Sequence, residues 1–303
     1  MTAIPPAATA PRPGEGPAGQ PAALRPSLSV RTFGHPGAEV GGRPVQWHAA
    51  SAQDLFFYLL SFPEGRTRSE ILENLWGLEA GPASSNRFRV TVHRVRTALG
   101  FPGALTEKYG RYHLAPAVIR ASDVGELYRA LHLAEHAATP PERLQAYRRV
   151  LEVYRGEYLP QVRAEWVREA REEHRAAYVH ACLEISALHC EAAECAAAVT
   201  DLARALRADP YLGENHHQRL MTCLSVVGGP YAATEHYRRF LRFLRDDLGD
   251  TPMPETVALA GRIKAGEHIC TRAQGVPGAH PHPCPLLAEG RCPAGLRDLL
   301  QLN

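Results

Sequence analysis

SSNRFRVTVHRVRTALG, residues 84–100, is the stretch on which the reading of this chain turns. Ser84 or Ser85 is placed to cap a helix, and Gly100 and Pro102 to stop it after Leu99. Phe88, Val92, Val95 and Leu99 recur at i, i+4, i+7 and i+11. At about 100° per residue they fall within ~60° of one another, a narrow core-facing stripe. Opposite and flanking it lie Arg87, Val90, Thr91, His93, Arg94 and Thr97, with Arg89 and Arg96 on the shoulder. An amphipathic helix with an arginine-rich outer face has the shape that enters a major groove.

Charge patterning singles out the same stretch. The 303 residues carry a formal net charge of only +2, from 34 basic and 32 acidic side chains. Residues 27–83 hold four arginines against six carboxylates, and residues 117–266 hold 19 basic against 21 acidic groups. Between them, residues 84–113 carry Arg87, Arg89, Arg94, Arg96, Lys108 and Arg111 against Glu107 alone. A cationic excess packed into one short segment is the footprint of phosphate binding.

Upstream, LSVRTFG (28–34) alternates as a strand, and Gly41-Gly42 marks a tight turn into a second, short strand pair. Ser51 with Asp54 reads as a capping box opening a helix with Leu55, Phe56, Leu59 and Leu60 inside; Pro63 and Gly65 end it. Thr67-x-x-Glu70 is a second capping box, ahead of Ile71, Leu72, Leu75 and Trp76, with Gly77 as the stop. Downstream, ALTEKYGRYHLAP (104–116) reads as a β-hairpin with Gly110-Arg111 at a basic tip. Two helices, a basic third helix and a basic hairpin make a winged helix-turn-helix. An arginine on the wing can lie in the minor groove, where the negative potential is highest.

From Ser122 to about Lys264 the pattern is helical. Ser122 caps the first helix and Thr139-Pro140-Pro141-Glu142 opens the second. A long helix is expected from Gln161. Further helices end at Pro210, near Gly228 and at Gly249, and a last short one starts at Pro254. Helices of this length, with short loops and Leu202-Ala203-x-Ala205-Leu206 running into Asp209-Pro210, are tetratricopeptide-like. The fold class is thus mainly α: a winged helix-turn-helix (α+β) followed by an all-α tetratricopeptide-like helical-repeat domain. The expected divisions are a disordered Pro/Ala/Gly-rich arm over 1–26, a winged-helix domain over 27–117, the helical domain over 118–265 and a flexible tail over 266–303.

LFFYLL, ILENLWG, NRFRVTVHRVRTALG and YGRYHL each resemble motifs of the DNA-binding domain of OmpR/PhoB-type regulators. YRGEYLP (154–160), EWVREAREEHRAAY (165–178), ADP (208–210), QRLMTCL (218–224) and HYRRFLRFLRDDLGDTPMPET (236–256) follow the order of the bacterial transcriptional activator domain. Together they resemble the SARP family over residues 28–264. That resemblance implies a one-component activator that binds double-stranded promoter DNA at direct repeats and recruits RNA polymerase, with a homodimer suited to tandem sites. It puts the groove-facing positions on Thr91, His93, Arg94 and Arg96 and the wing contact on Arg111; with the helix and hairpin cations, the DNA-binding set becomes Arg87, Arg89, Thr91, His93, Arg94, Arg96, Lys108 and Arg111. Thr97 stands where the family commonly has a further arginine, and YLGENHH (211–217) departs from it.

Other chemistries find little support. There is no G-x-x-x-x-G-K-[ST] loop, G-x-S-x-G or H-E-x-x-H, so neither an enzyme nor a cofactor is expected. His280-x-His282-x-Cys284 with Cys292 offers zinc-type donors, but structural zinc sites pair close ligands twice over, so no metal is expected there. Cysteines at helical positions read as small hydrophobes. Trp47, Trp76 and Trp166 read as core anchors, Tyr231, Tyr237 and Phe240 as packing, and Glu172-Glu173 with Arg171 and Arg175 as a charged helix face. No apolar run approaches ~18 residues, which argues against a membrane partner, and with no export signal a reducing cytoplasm is the expected compartment. The competing reading is a helical-repeat protein adaptor carrying a degenerate winged helix.

Overall fold

The computed structural model describes residues 27–270; the arm, most of the tail and the His280–Cys292 candidate metal ligands lie outside them. Strands β1 (Leu28–Arg31), β2 (Gly37–Val40) and β3 (Arg43–Pro44) form an antiparallel sheet in which Val30 faces Ala38. Gly41 and Gly42, at φ 60 and 73, make the β2–β3 turn. Two consecutive left-handed residues suit the strand twist, and glycine adopts them without a Cβ penalty.

Helix α1 (Ala50–Ser61) is buried along Leu55–Leu60. It starts from Ala49 with no side-chain cap, so the Ser51–Asp54 capping box does not form. The Thr67–Glu70 box does form. It joins β4 (Arg66–Thr67) to α2 (Arg68–Trp76), which Gly77 closes in the left-handed region. Helix α3 (Pro82–Leu99) begins earlier than Ser84: Gly81 is its cap, Pro82 fills its first position, and the Ser84 hydroxyl accepts the Gly81 N–H at 2.8 Å. Proline fits there because the first N–H has no intrahelical partner. Strands β5 (Leu105–Lys108) and β6 (Arg111–Leu114) form the wing, and β4 pairs with β6 to give the order β4-β6-β5.

The helical half comprises α4 (Pro116–Arg120), α5 (Asp123–Glu135), α6 (Pro140–Val153), α7 (Arg168–Glu191), α8 (Cys195–Ala208), α9 (Glu214–Val227), α10 (Gly229–Phe243) and α11 (Pro254–Lys264). α5 packs on α6, α7 on α8 and α9 on α10, and each pair stacks on the next. Ser122 and Thr139 cap α5 and α6 as the sequence indicates. The helix expected from Gln161 starts instead at Arg168, behind a 3-10 turn over Glu165–Val167. Arg171 explains the delay. Its guanidinium donates to the carbonyls of Tyr158, Leu159 and Val162 at 2.8, 2.5 and 2.6 Å, so the preceding chain wraps around it. Arg171 is therefore a loop anchor, not part of a solvated charged face. Tyr231 also departs from expectation, being 77% exposed, whereas Phe240 is buried and stacks on His217.

One apolar cluster runs from β1 through the three amino-terminal helices and the wing into α4, α5, α6 and α7. The joint is aromatic and polar at once. Phe33 packs against Tyr154, Tyr158 and His174 with ring centroids 5.0, 5.8 and 5.6 Å away. Tyr58 meets Trp166 edge-on at 5.2 Å, and Ser61 bonds the Tyr158 hydroxyl at 2.7 Å. Asp123, the first residue of α5, accepts the Thr32 N–H and hydroxyl, both at 2.6 Å, and the Phe33 N–H at 3.0 Å. Burial pushes the Asp123 carboxyl up from its ordinary range, against the pull of those bonds. Burial likewise pushes His174 down to about 3, so the ring is neutral beside the Tyr128 hydroxyl at 3.0 Å.

Candidate nucleic-acid interface

The inner face of α3 fixes the outer one. Phe88, Val92, Val95 and Leu99 are all buried, as their spacing indicates. Phe88 also meets Tyr112 of β6 edge-on at 4.7 Å, which locks the helix to the wing. With that face committed, Arg87, Arg89, Val90, His93, Arg94 and Thr97 are exposed. At about 100° per residue they form two rows, Arg87 with Arg94 and Arg89 with His93, on either side of a strip containing Val90 and Thr97.

Thr91 does not belong to this surface. It is 1% exposed, and its hydroxyl donates to the Arg87 carbonyl at 2.8 Å. It lies only ~40° from Val95 on the helical wheel, which places it beside the core stripe. Its assignment as a groove contact is corrected to that of a buried helix residue.

Arg96 and Arg111 are braced rather than loose. Arg96 Nε donates to the Leu105 carbonyl at 2.9 Å, tying the end of α3 to the start of the wing. Arg111 donates through Nε and Nη2 to the Gly65 carbonyl at 3.2 and 2.9 Å and lies 3.7 Å from Glu70. Partial burial opposes ionisation of Glu70, but the Thr67 N–H and hydroxyl, Arg111 and Arg66 outweigh it and hold the carboxyl below its usual range. The anchor leaves little freedom at Gly65, where φ is +80 and a Cβ would meet the His113 ring at 2.4 Å.

The wing turn is Tyr109-Gly110, at φ 54 and 75, one residue earlier than Gly110-Arg111. The shift matters because it moves Arg111 off the tip and into β6. At the tip Tyr109 is 91% exposed, with the Lys108 ammonium 5.2 Å from its ring centroid. Tyr109 is a contact candidate that sequence spacing missed by reading it as a strand residue. Arg68 is another: it is exposed at the first position of α2, where the helix N-terminus favours an anion.

Among the described residues Arg87, Arg89, Arg94 and Lys108 make no ion pair, and Arg87 instead lies over the Trp76 ring at 4.8 Å. Cations exposed on a helix face without internal counter-charges can neutralise an external polyanion.

Comparison with known proteins agrees with this architecture. The family model described as bacterial transcriptional activator domain matches residues 122–264. The solved structure of Mycobacterium tuberculosis EmbR in complex with a low-affinity phosphopeptide is similar at 20% identity and a TM-score of 0.68, covering 82% of this chain and 67% of that one. No curated protein matches the sequence. Among the described residues, no helix is long and apolar enough to cross a membrane.

Proposed function

We propose that the chain is a sequence-specific DNA-binding activator of the SARP type, a reading supported by the match of residues 122–264 to the bacterial transcriptional activator domain and by the winged helix that precedes them. In this reading residues 27–117 read the promoter and residues 118–265 orient a homodimer on direct repeats and contact RNA polymerase. α3 lies in the major groove. Arg94 and His93 reach base edges, Arg87, Arg89 and Lys108 meet phosphates, and the wing enters the adjacent minor groove. Arg96 and Arg111 brace the wing against the helix and add positive potential. The observation that supports the reading is the outward set of arginines without internal ion pairs on α3, backed by a fully buried apolar stripe.

The test is a gel shift on the chain's own upstream region at several salt concentrations. Arg87, Arg89 and Lys108 together give an expected log–log salt slope near −2.7 per protomer, at ~0.9 per phosphate. Arg94→Ala costs ~1–3 kcal/mol on the operator if the arginine reads a guanine, with less loss on unrelated DNA. Arg89→Ala weakens all sequences alike and flattens the slope by ~0.9. Undiminished operator binding by Arg94→Ala removes its assignment.

Exposed apolar side chains also gather at one turn of the helical half. Val226, Val227 and Tyr231, at the α9–α10 turn, are 52%, 49% and 77% exposed. Under the activator reading this strip suits RNA polymerase; an adaptor would use the same strip and show no salt-dependent shift of duplex DNA.

A further inference from the structure

The last turn of α5 gathers metal donors that play no part in the DNA reading. Its sequence is His132-Leu133-Ala134-Glu135-His136. Residues three and four apart share one helix face, so His132, Glu135 and His136 project together. One ligand atom from each lies within 4.8 Å of the other two. His132 and Glu135 are half-buried and His136 is exposed, so the cluster has a floor and an open side.

Two further features suit a cation. The His136 Nδ1–H donates to the His132 carbonyl at 2.9 Å. That bond fixes the tautomer and turns the Nε2 lone pair outward, the arrangement found around metal-bound imidazoles, whose second nitrogen donates to a carbonyl or carboxylate. The cluster also sits at the C-terminal end of a 13-residue helix, where the last carbonyls carry partial negative charge.

We propose that His132, Glu135 and His136 bind a divalent transition-metal ion. Two imidazoles and a carboxylate, with no thiolate, favour zinc, copper, nickel or cobalt over calcium or magnesium. Zinc–nitrogen and zinc–oxygen bonds of about 2.0–2.2 Å require the ligand atoms to close in slightly from their present separation, which is within the reach of side-chain rotation. Three protein ligands leave the fourth tetrahedral position to water on the His136 side. The ion would pin the last turn of α5 at the corner where the chain enters α6.

Cobalt(II) titration of the metal-free full-length chain tests this, because thiolate and nitrogen/oxygen sites are told apart by their spectra. The expected result is one equivalent of cobalt with d–d bands but no sulfur-to-cobalt charge transfer. His136→Asn, at an exposed position, should weaken that equivalent about tenfold or more, Glu135→Gln should weaken it less, and His48→Asn, at an exposed histidine elsewhere, should leave it unchanged. Zinc should raise the melting temperature of the parent chain and not that of His136→Asn, each compared with its own metal-free form. Equal cobalt affinity in His136→Asn, or cobalt bound only with a sulfur charge-transfer band, overturns the proposal.

Discussion

Removing the Asp123 carboxylate tests whether the winged helix and the helical half are held as one body. Asp123→Ala takes the acceptor from the Thr32 and Phe33 N–H groups, bonded at 2.6 and 3.0 Å, and from the Thr32 hydroxyl at 2.6 Å. Thr32 is 0% and Phe33 3% exposed, so both backbone donors are left without water. At ~1–3 kcal/mol for each orphaned buried donor, the loss is ~2–6 kcal/mol. Part of this is offset, because the buried carboxylate is itself disfavoured, as its raised pKa records. The expected net is ~2–4 kcal/mol, with Asp123→Asn in between because one acceptor oxygen remains. Urea titration followed by circular dichroism and tryptophan fluorescence measures it. With an m-value of ~2–3 kcal/mol/M, the midpoint should fall by roughly 1 M. An unchanged midpoint refutes the reasoning.

Other outcomes follow from the same packing. His174 is buried and neutral with its pKa lowered to about 3, so the unfolded chain binds the extra proton between pH 6.5 and 3. Its contribution is fully present above pH 6.5 and is lost as the pH falls through that window. His174→Phe should be ~0.5–1.5 kcal/mol less stable at pH 7, through the lost hydrogen bond to the Tyr128 hydroxyl, but lose less stability on acidification; parallel pH–stability curves would contradict this. A Cβ on Gly125 would meet the Ile119 carbonyl oxygen at 2.3 Å. Gly125→Ala should thus destabilise by ~1–3 kcal/mol despite alanine's better helix propensity, and a higher melting temperature would count against that packing.

Local signals were the most legible part of the sequence. The Thr67–Glu70 and Thr139–Glu142 capping boxes and the Ser122 cap involve groups within three residues of one another, and all are present. The α3 core stripe is equally local. Thr91 was misplaced although the same angular arithmetic puts it next to Val95. A one-residue offset in the wing turn, from Gly110-Arg111 to Tyr109-Gly110, changed the role of Arg111, because successive strand residues face opposite sides. What the sequence could not reveal were the distant partners: Asp123 with Thr32, and Arg171 with the carbonyls of the preceding loop. Such contacts depend on how the elements are brought together. The donors of α5 were visible as H-x-x-E-H, a reversed order that a search for H-E-x-x-H passes over.

The aromatic seam around Phe33 has a practical corollary for anyone cutting this gene. A fragment ending at residue 117 would strip Tyr154, Tyr158 and His174 from Phe33 and bare an oily face to water. An amino-terminal fragment meant to fold by itself would need to carry α5, α6 and α7 as well, through Glu191.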